Sequence, residues 1–186
     1  MRKIFVMVLF VLVMMTSFLS VTFAKGSLIG QVQDPNLLML GGIKLNNTKS
    51  HVINMYGEPT EQFKSLKPIK NRFFVEPYYL WEFHYGETVK LQFIQPISEN
   101  VLYVTKVQST ANNGWKTPVG LAVGMKAEEI EKRMGKNNRQ NTKGEDFVLS
   151  YHYGSFYLDF YQKEGIINKI ELYSSEVQHD NTEIRK

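Results

Sequence analysis

Two histidines occupy matching places in this chain, in Phe83-His84-Tyr85-Gly86 and Tyr151-His152-Tyr153-Gly154, each two positions before a glycine. Imidazole binds metals and moves protons near neutral pH. A zinc site needs three or four ligands, and His51 and His179 stand in other contexts. The bland reading, solvent-facing strand histidines, therefore outweighs a metal site, with contact to a partner as the remaining role. Asp159 and Glu171 fall on segments that read as neighbouring strands. They would form a glycosidase pair only if a cleft held their carboxyls about 5–9 Å apart. Glu145 and Asp146 adjoin a glycine, but one acidic dipeptide is no acid/base pair. No G-x-S-x-G, H-E-x-x-H, phosphate-loop or S-x-x-K motif occurs. Cysteine is absent, which removes disulfides, thiolate metal sites, cysteine nucleophiles and lipidated cysteine. The residues point to no enzyme, no metal and no cofactor.

What remains is binding chemistry. Tyr79, Trp81, Phe83 and Tyr85 alternate with Leu80, Glu82 and His84, and Phe147, Leu149, Tyr151 and Tyr153 with Val148, Ser150 and His152. That is strand period. By parity the histidines lie on the face opposite the aromatic run. This outer face would carry Glu82, His84, Lys90 and Gln92 in one half, and His152, Tyr157, Asp159 and Tyr161 in the other. Tyrosine among polar groups suits protein contact, because it offers area at low entropy cost; an ordinary half-solvated antiparallel sheet would look similar. A second candidate is basic: Lys64, Lys67, Lys70 and Arg72, with Phe63, Phe73 and Phe74 nearby, facing an anionic wall polymer or lipid headgroups or simply forming a solvated loop.

The elements that position these residues occur twice. GIKLNNTKSHVINMYGEP (42–59) matches GLAVGMKAEEIEKRMGKN (120–137) at an offset of 78, and the two histidine blocks match at an offset of 68. VKLQFIQ (89–95) resembles FYLDFYQ (156–162), and VTKVQST (104–110) resembles INKIELY (167–173). The order of parts is shared, and the first copy has an insertion within SLKPIKNRFFVEP that includes most of the basic cluster. Such self-similarity reads as an internal duplication. Each half predicts a short strand, a short helix and three strands. Thr48 is the expected N-cap of the first helix, and Gly57 and Gly135 the stops. Met125, Ile130 and Met134 form the apolar stripe of the second helix. The expected core is Trp81, Phe83, Leu91, Phe93, Val107, Ile130, Leu158, Phe160 and Ile170. The fold class is α+β: two tandem repeats, each a short helix with an antiparallel three- to four-stranded sheet, helices on one face, in one sheet or two.

Residues 1–24 (MRKIFVMVLFVLVMMTSFLSVTFA) have a positive start, an apolar run and Thr22-Phe23-Ala24 at the end. This reads as a secretory signal peptide cleaved after Ala24; uncleaved, it would anchor the chain. Either way the rest lies outside the cytoplasm. The chain divides into this signal segment, a polar leader (25–36), a first repeat (37–112), a second repeat (113–175) and a charged tail (176–186). Lys and Arg number 22 against 18 Asp and Glu. Arg2 and Lys3 belong to the signal segment, so the remainder is too mildly basic to argue for nucleic acid.

A glycine, an apolar strand, a turn with Thr and a short helix ending in Tyr56-Gly57-Glu58-Pro59, followed by aromatic strands, resembles the β-lactamase-inhibitory-protein-like superfamily. That group includes small lipoproteins of the outer-membrane barrel assembly machinery and uncharacterised secreted proteins of Gram-positive bacteria. The resemblance spans about residues 40–175. It implies a non-enzymatic module that binds another protein through its sheet, with no cofactor. Taken with the signal segment, the chain reads as secreted or wall-associated, its partner as another extracytoplasmic protein, with membrane contact only through an uncleaved signal segment. The chain departs from the group: it has no lipobox cysteine, Lys126 stands where the first copy has Thr48, and Asn137 where it has Pro59. Inhibition of a β-lactamase is not carried over. The alternatives are a small exported cell-wall hydrolase and an envelope polymer or membrane-surface binder using the basic 64–72 stretch.

Overall fold

The computed structural model describes residues 30–66, 68–70, 72–137, 140–143 and 146–177. The expected signal segment, the first five residues of the polar leader and most of the charged tail lie outside these residues, as do Lys67, Glu145 and His179. The fold is α+β. Strands β1 (Gly30–Gln31), β2 (Glu61–Lys64), β3 (Tyr78–Tyr85), β4 (Val89–Pro96), β5 (Tyr103–Ser109), β6 (Gln140–Lys143), β7 (Asp146–Tyr153), β8 (Phe156–Lys163) and β9 (Ile166–Ser174) form one nine-stranded sheet. The helices are α1 (Lys49–Tyr56) and α2 (Glu128–Met134). The strand order is β1-β7-β8-β9-β5-β4-β3-β2, with β6 also paired to β7. All pairings are antiparallel except β1 with β7. The choice between one sheet and two is thereby resolved as one, and β5 joined to β9 is its middle.

Thr48 caps α1 by accepting from the His51 amide at 3.3 Å, which satisfies one of the helix's free donors. In α2, Ala127 holds the N-cap with no side-chain bond, and Glu128, Glu129 and Glu131 supply favourable charge at that end instead. Gly57 and Gly135 end the helices, as expected, at φ +78° and +89° with ψ near 180°, an extended exit at positive φ. Tyrosines fasten both ends: Tyr85 Oη donates to the Gly57 carbonyl at 3.1 Å and Tyr151 Oη to the Gly135 carbonyl at 2.7 Å. The expected strands before each helix are not strands. Ile43 and Leu40 form an isolated bridge, and Leu121, Ala122 and Val123 are buried loop.

Equivalent contacts recur in the two halves. Bridges join Thr48 to Tyr103 and Lys126 to Ile166. The amides of Asn46 and Gly124 donate to the carbonyls of Val104 and Ile167, and the amides of those two residues donate to the carbonyls of Asn47 and Met125. A bulge falls in each β4–β5 and β8–β9 pairing.

The main core lies between the sheet and the helices: Phe83, Leu91, Phe93, Val107, Leu158, Phe160 and Ile170 meet Val52, Ile130 and Met134. Trp81 of the expected core is half-buried at its margin. Trp115 closes the core beside α1, stacked on Tyr56 at 4.3 Å between centroids. It lies against Gly41, where a Cβ would come within 2.3 Å of the indole. A second, smaller cluster lies on the opposite face, where Tyr78, Leu80, Ile94 and Val177 pack with Ile69, Phe74 and Tyr103. Parity alone places Leu80 toward solvent; it is buried because the 65–77 insertion and Val177 fold over that end of the sheet.

Candidate functional site

The face opposite the helices is built from two cross-strand rows. One runs Glu61, His84, Lys90, Gln108, Glu171, Asp159, Ser150 from β2 through β7. The other runs Phe63, Glu82, Gln92, Lys106, Tyr173, Tyr157, His152 over the same strands. The eight residues expected to contact a partner lie on this face. Glu82, His84, Lys90 and Gln92 form one group, and His152, Tyr157, Asp159 and Tyr161 form another, with β5 and β9 between them. No group of three or more His, Asp or Glu residues placed to hold a metal ion occurs among the described residues.

In the first group His84 Nε2 lies 2.6 Å from Glu82 Oε1, and its Nδ1 lies 3.3 Å from Glu61 Oε2 on the edge strand. A neutral imidazole has one N–H and serves only one of these carboxylates at a time. Gln92 Nε2 donates to Glu82 Oε2 at 3.2 Å. Burial pushes the Glu82 carboxyl up, but the hydrogen bonds from His84 and Gln92 and the Lys90 charge outweigh it and hold the group below its ordinary value.

The second group centres on a pair of like charges. Asp159 and Glu171 stand directly opposite each other on β8 and β9, an arrangement that destabilises unless compensated. Glu171 is compensated: Lys106 Nζ lies 2.8 Å and Lys169 Nζ 3.6 Å from Oε1, and Tyr161 Oη donates to Oε2 at 2.9 Å. Burial raises Glu171, and these partners more than reverse it, so its carboxyl sits below the ordinary value. Asp159 has far less. Its Oδ2 accepts from Tyr173 Oη at 3.2 Å, its Oδ1 is enclosed with no well-formed bond, and the Ser150 hydroxyl across the strand pair, like that of Tyr173, lowers the carboxyl in part. Burial, helped by the Glu171 charge, pushes it up to about 6. Burial likewise raises the Tyr161 and Tyr173 phenols. Tyr173, Tyr157 and His152 stack in line at 5.4 Å and 5.5 Å between centroids, planes within 18°.

Two expectations about this face change. Asp159 is only 5% exposed and Glu171 6%, so Asp159 lies beneath the surface it was expected to present. Second, the smaller core cluster covers the end of β3 and β4 away from their hairpin. The uncovered area runs from His84 across Lys106 and Gln108 to Tyr157 and His152. Lys106, Gln108, Glu171 and Tyr173 were not among the expected site residues. Only the register of β5 on β9, a long-range pairing, brings them between the two groups.

The basic cluster does not stay together. Lys64 lies on β2 with its ammonium 3.7 Å from the Tyr79 ring centre and 5.0 Å from that of Trp81, so it belongs to the sheet rather than the loop. Lys70 and Arg72 are exposed on the insertion, and Lys67 lies outside the described residues.

No protein-family model matches the chain, and no curated protein matches it. Among solved structures it is similar to a DUF4309 family protein from Bacillus subtilis, with a TM-score of 0.39 and 18% identity over 72% of this chain and 83% of that one. It is also similar to a cysteine-rich secretory protein from Staphylococcus aureus, with a TM-score of 0.46 and 12% identity over 80% of this chain. The match spans 51% of the staphylococcal protein.

Proposed function

We propose that this protein is an exported, non-enzymatic binding module that holds another extracytoplasmic protein against the face of its sheet opposite the helices. The observation that carries the reading is the pair of seven-residue rows. They mix acids, bases, amides and stacked tyrosines, and no helix of the described residues lies on them. Gln92 Oε1 and both His152 ring nitrogens are enclosed there without hydrogen-bond partners. Buried polar groups are nearly always paired, so their gathering on one face fits a surface that a partner completes by reordering its side chains. The same reading takes the chain as a duplicated unit, residues 37–112 and 113–175, of the β-lactamase-inhibitory-protein-like kind, cleaved after Ala24 and retained at the cell wall or secreted. The recurring bridges at Thr48–Tyr103 and Lys126–Ile166 support the duplication.

A photo-crosslinking residue in place of Lys90 or Tyr157, expressed in the producing cell, tests it. A defined adduct from both positions, absent when the same residue replaces Glu131 on α2, is the expected result. Adducts of equal yield from the helix side, or none from the sheet, refute it.

One observation favours a hydrolase instead: Asp159 is raised beside a lowered Glu171, the separation an acid and a nucleophile require. Against it, both carboxyls are more than nine-tenths buried and Glu171 is already held by two lysines and a tyrosine. Turnover of purified cell wall that Asp159→Asn and Glu171→Gln abolish would establish the hydrolase and displace the binding module.

A further inference from the structure

The 65–77 insertion and the β4–β5 loop (97–102) form a single tip at one end of the sheet. The Ile97 amide donates to the Pro77 carbonyl at 3.2 Å, and Ser98 Oγ donates to Glu76 Oε1. Beneath the tip Ile69 and Phe74 are fastened to Tyr78, Leu80, Ile94 and Val177. Above it the apolar side chains are uncovered: Leu66 is 49% exposed, Phe73 52%, Val75 108%, Ile97 52% and Val101 38%. These are five of the ten exposed large apolar side chains among the described residues, gathered on two adjoining loops. Scattered single exposures are ordinary, but a contiguous group marks a contact surface.

Cations stand on the insertion side of the tip. Lys70 and Arg72 are exposed, with the Arg72 guanidinium 4.7 Å over the Phe73 ring. The tip also carries two acids, Glu76, which accepts from Ser98 Oγ, and Glu99, which accepts from Tyr103 Oη at 2.9 Å; both lie toward the 97–102 side, whereas Lys70 and Arg72 flank Phe73. Cations stand beside protruding apolar side chains, with Val75 as bare as in an extended peptide. That suits the boundary between headgroups and acyl chains, where apolar groups sink about 5–10 Å and anionic headgroups attract Lys and Arg. A wall polymer would answer the charges and leave Phe73, Val75 and Ile97 in water.

We propose that this tip rests on an anionic lipid bilayer, through Leu66, Phe73, Val75 and Ile97, with Lys70 and Arg72 at the headgroups. The contact is separate from the N-terminal apolar run and from the sheet-face surface, and it does not depend on either. With the tip in the bilayer, the sheet face stands away from the membrane.

The absence of cysteine makes the test direct. Val75→Cys and Glu87→Cys each create one labelling site, the second on the β3–β4 hairpin at the opposite end of the sheet. Each full-length chain carries an environment-sensitive fluorophore and is mixed with vesicles of equal parts phosphatidylcholine and phosphatidylglycerol. The N-terminal run can attach any variant to a vesicle, so the contrast between positions is the readout. The label at 75 is expected to shift to the blue and to be quenched by acyl-chain spin labels, with no change at 87. Lys70→Glu with Arg72→Glu should cut the response at 75 severalfold, as should pure phosphatidylcholine. Equal responses at 75 and 87, no response at 75, or a response indifferent to lipid charge overturns the proposal. So does capture of an anionic polymer with no blue shift.

Discussion

Replacing Asp159 by Asn should stabilise the protein at neutral and alkaline pH and not in acid. Asp159 is almost wholly enclosed, faces Glu171 across the strand pair and is met by the hydroxyls of Tyr173 and Ser150 but by no close cation. Its pKa rises from 3.8 to about 6. A raised carboxyl pKa means that the folded state holds the proton more tightly than the unfolded chain. The neutral form therefore stabilises below the ordinary value, and that stability is lost as pH rises through about 6. Each tenfold gain in proton affinity is worth about 1.4 kcal/mol, so ionised Asp159 costs about 3 kcal/mol once the loss is complete. Asparagine never ionises, its oxygen still accepts from Tyr173, and its amide can donate to Glu171. Glu82 and Glu171, both lowered, titrate in the opposite sense. The wild-type profile therefore mixes signs, and the difference between variant and wild type isolates Asp159. Urea unfolding of both chains at pH of about 8 and about 4 measures it. The variant should be more stable by up to about 3 kcal/mol at the higher pH, with the gain gone at the lower. A difference that ignores pH, or a variant less stable at the higher pH, would refute the reasoning.

Gly41→Ala should lose about 2–4 kcal/mol, because φ is +60° there and the new Cβ meets the Trp115 ring. Urea unfolding followed by tryptophan fluorescence reads that loss directly. Lys106→Met leaves Glu171 with only Lys169 and Tyr161, and should cost about 1–2 kcal/mol at neutral pH. Because Glu171 is lowered, that cost should fade as pH falls through its titration, which the same unfolding series run into acid checks. Tyr151→Phe frees the Gly135 carbonyl and should cost about 1 kcal/mol; Tyr85→Phe, at a more exposed bond, should cost less, as thermal melts of the pair will show.

The long strands were legible because each alternates over eight residues. Phe83, Leu91, Leu158 and Phe160 therefore fell into the core as expected, as did Ile130 on its helical stripe. Strands β2 and β6 were not legible: Glu61-Gln62-Phe63-Lys64 and Gln140-Asn141-Thr142-Lys143 are short, polar edge segments whose pairing comes from a neighbour's open hydrogen bonds. The burial of Leu80 was hidden because its cover, Ile69 and Phe74 from the irregular insertion and Val177 from near the C-terminus, follows no strand or helix period. At the sheet face, parity placed Glu82, His84 and Tyr157 on the correct side. It could not show that Lys106 reaches Glu171, nor that Asp159 lies beneath the tyrosines; both follow from β5 meeting β9 and from the bulges that set the register.

That meeting of β5 and β9 also governs how fast the chain can fold. The β3–β4, β7–β8 and β8–β9 hairpins close over a few residues and form in microseconds. The seam pairs Lys106–Ser109 with Ile170–Tyr173, segments about 65 residues apart in the chain, so it carries a far larger loop-closure entropy. Each half can assemble its meander early, while the seam waits for two preformed edges to collide. Substitutions at Val107 or Leu172 should then slow folding itself, whereas those at the outer strands should chiefly speed unfolding.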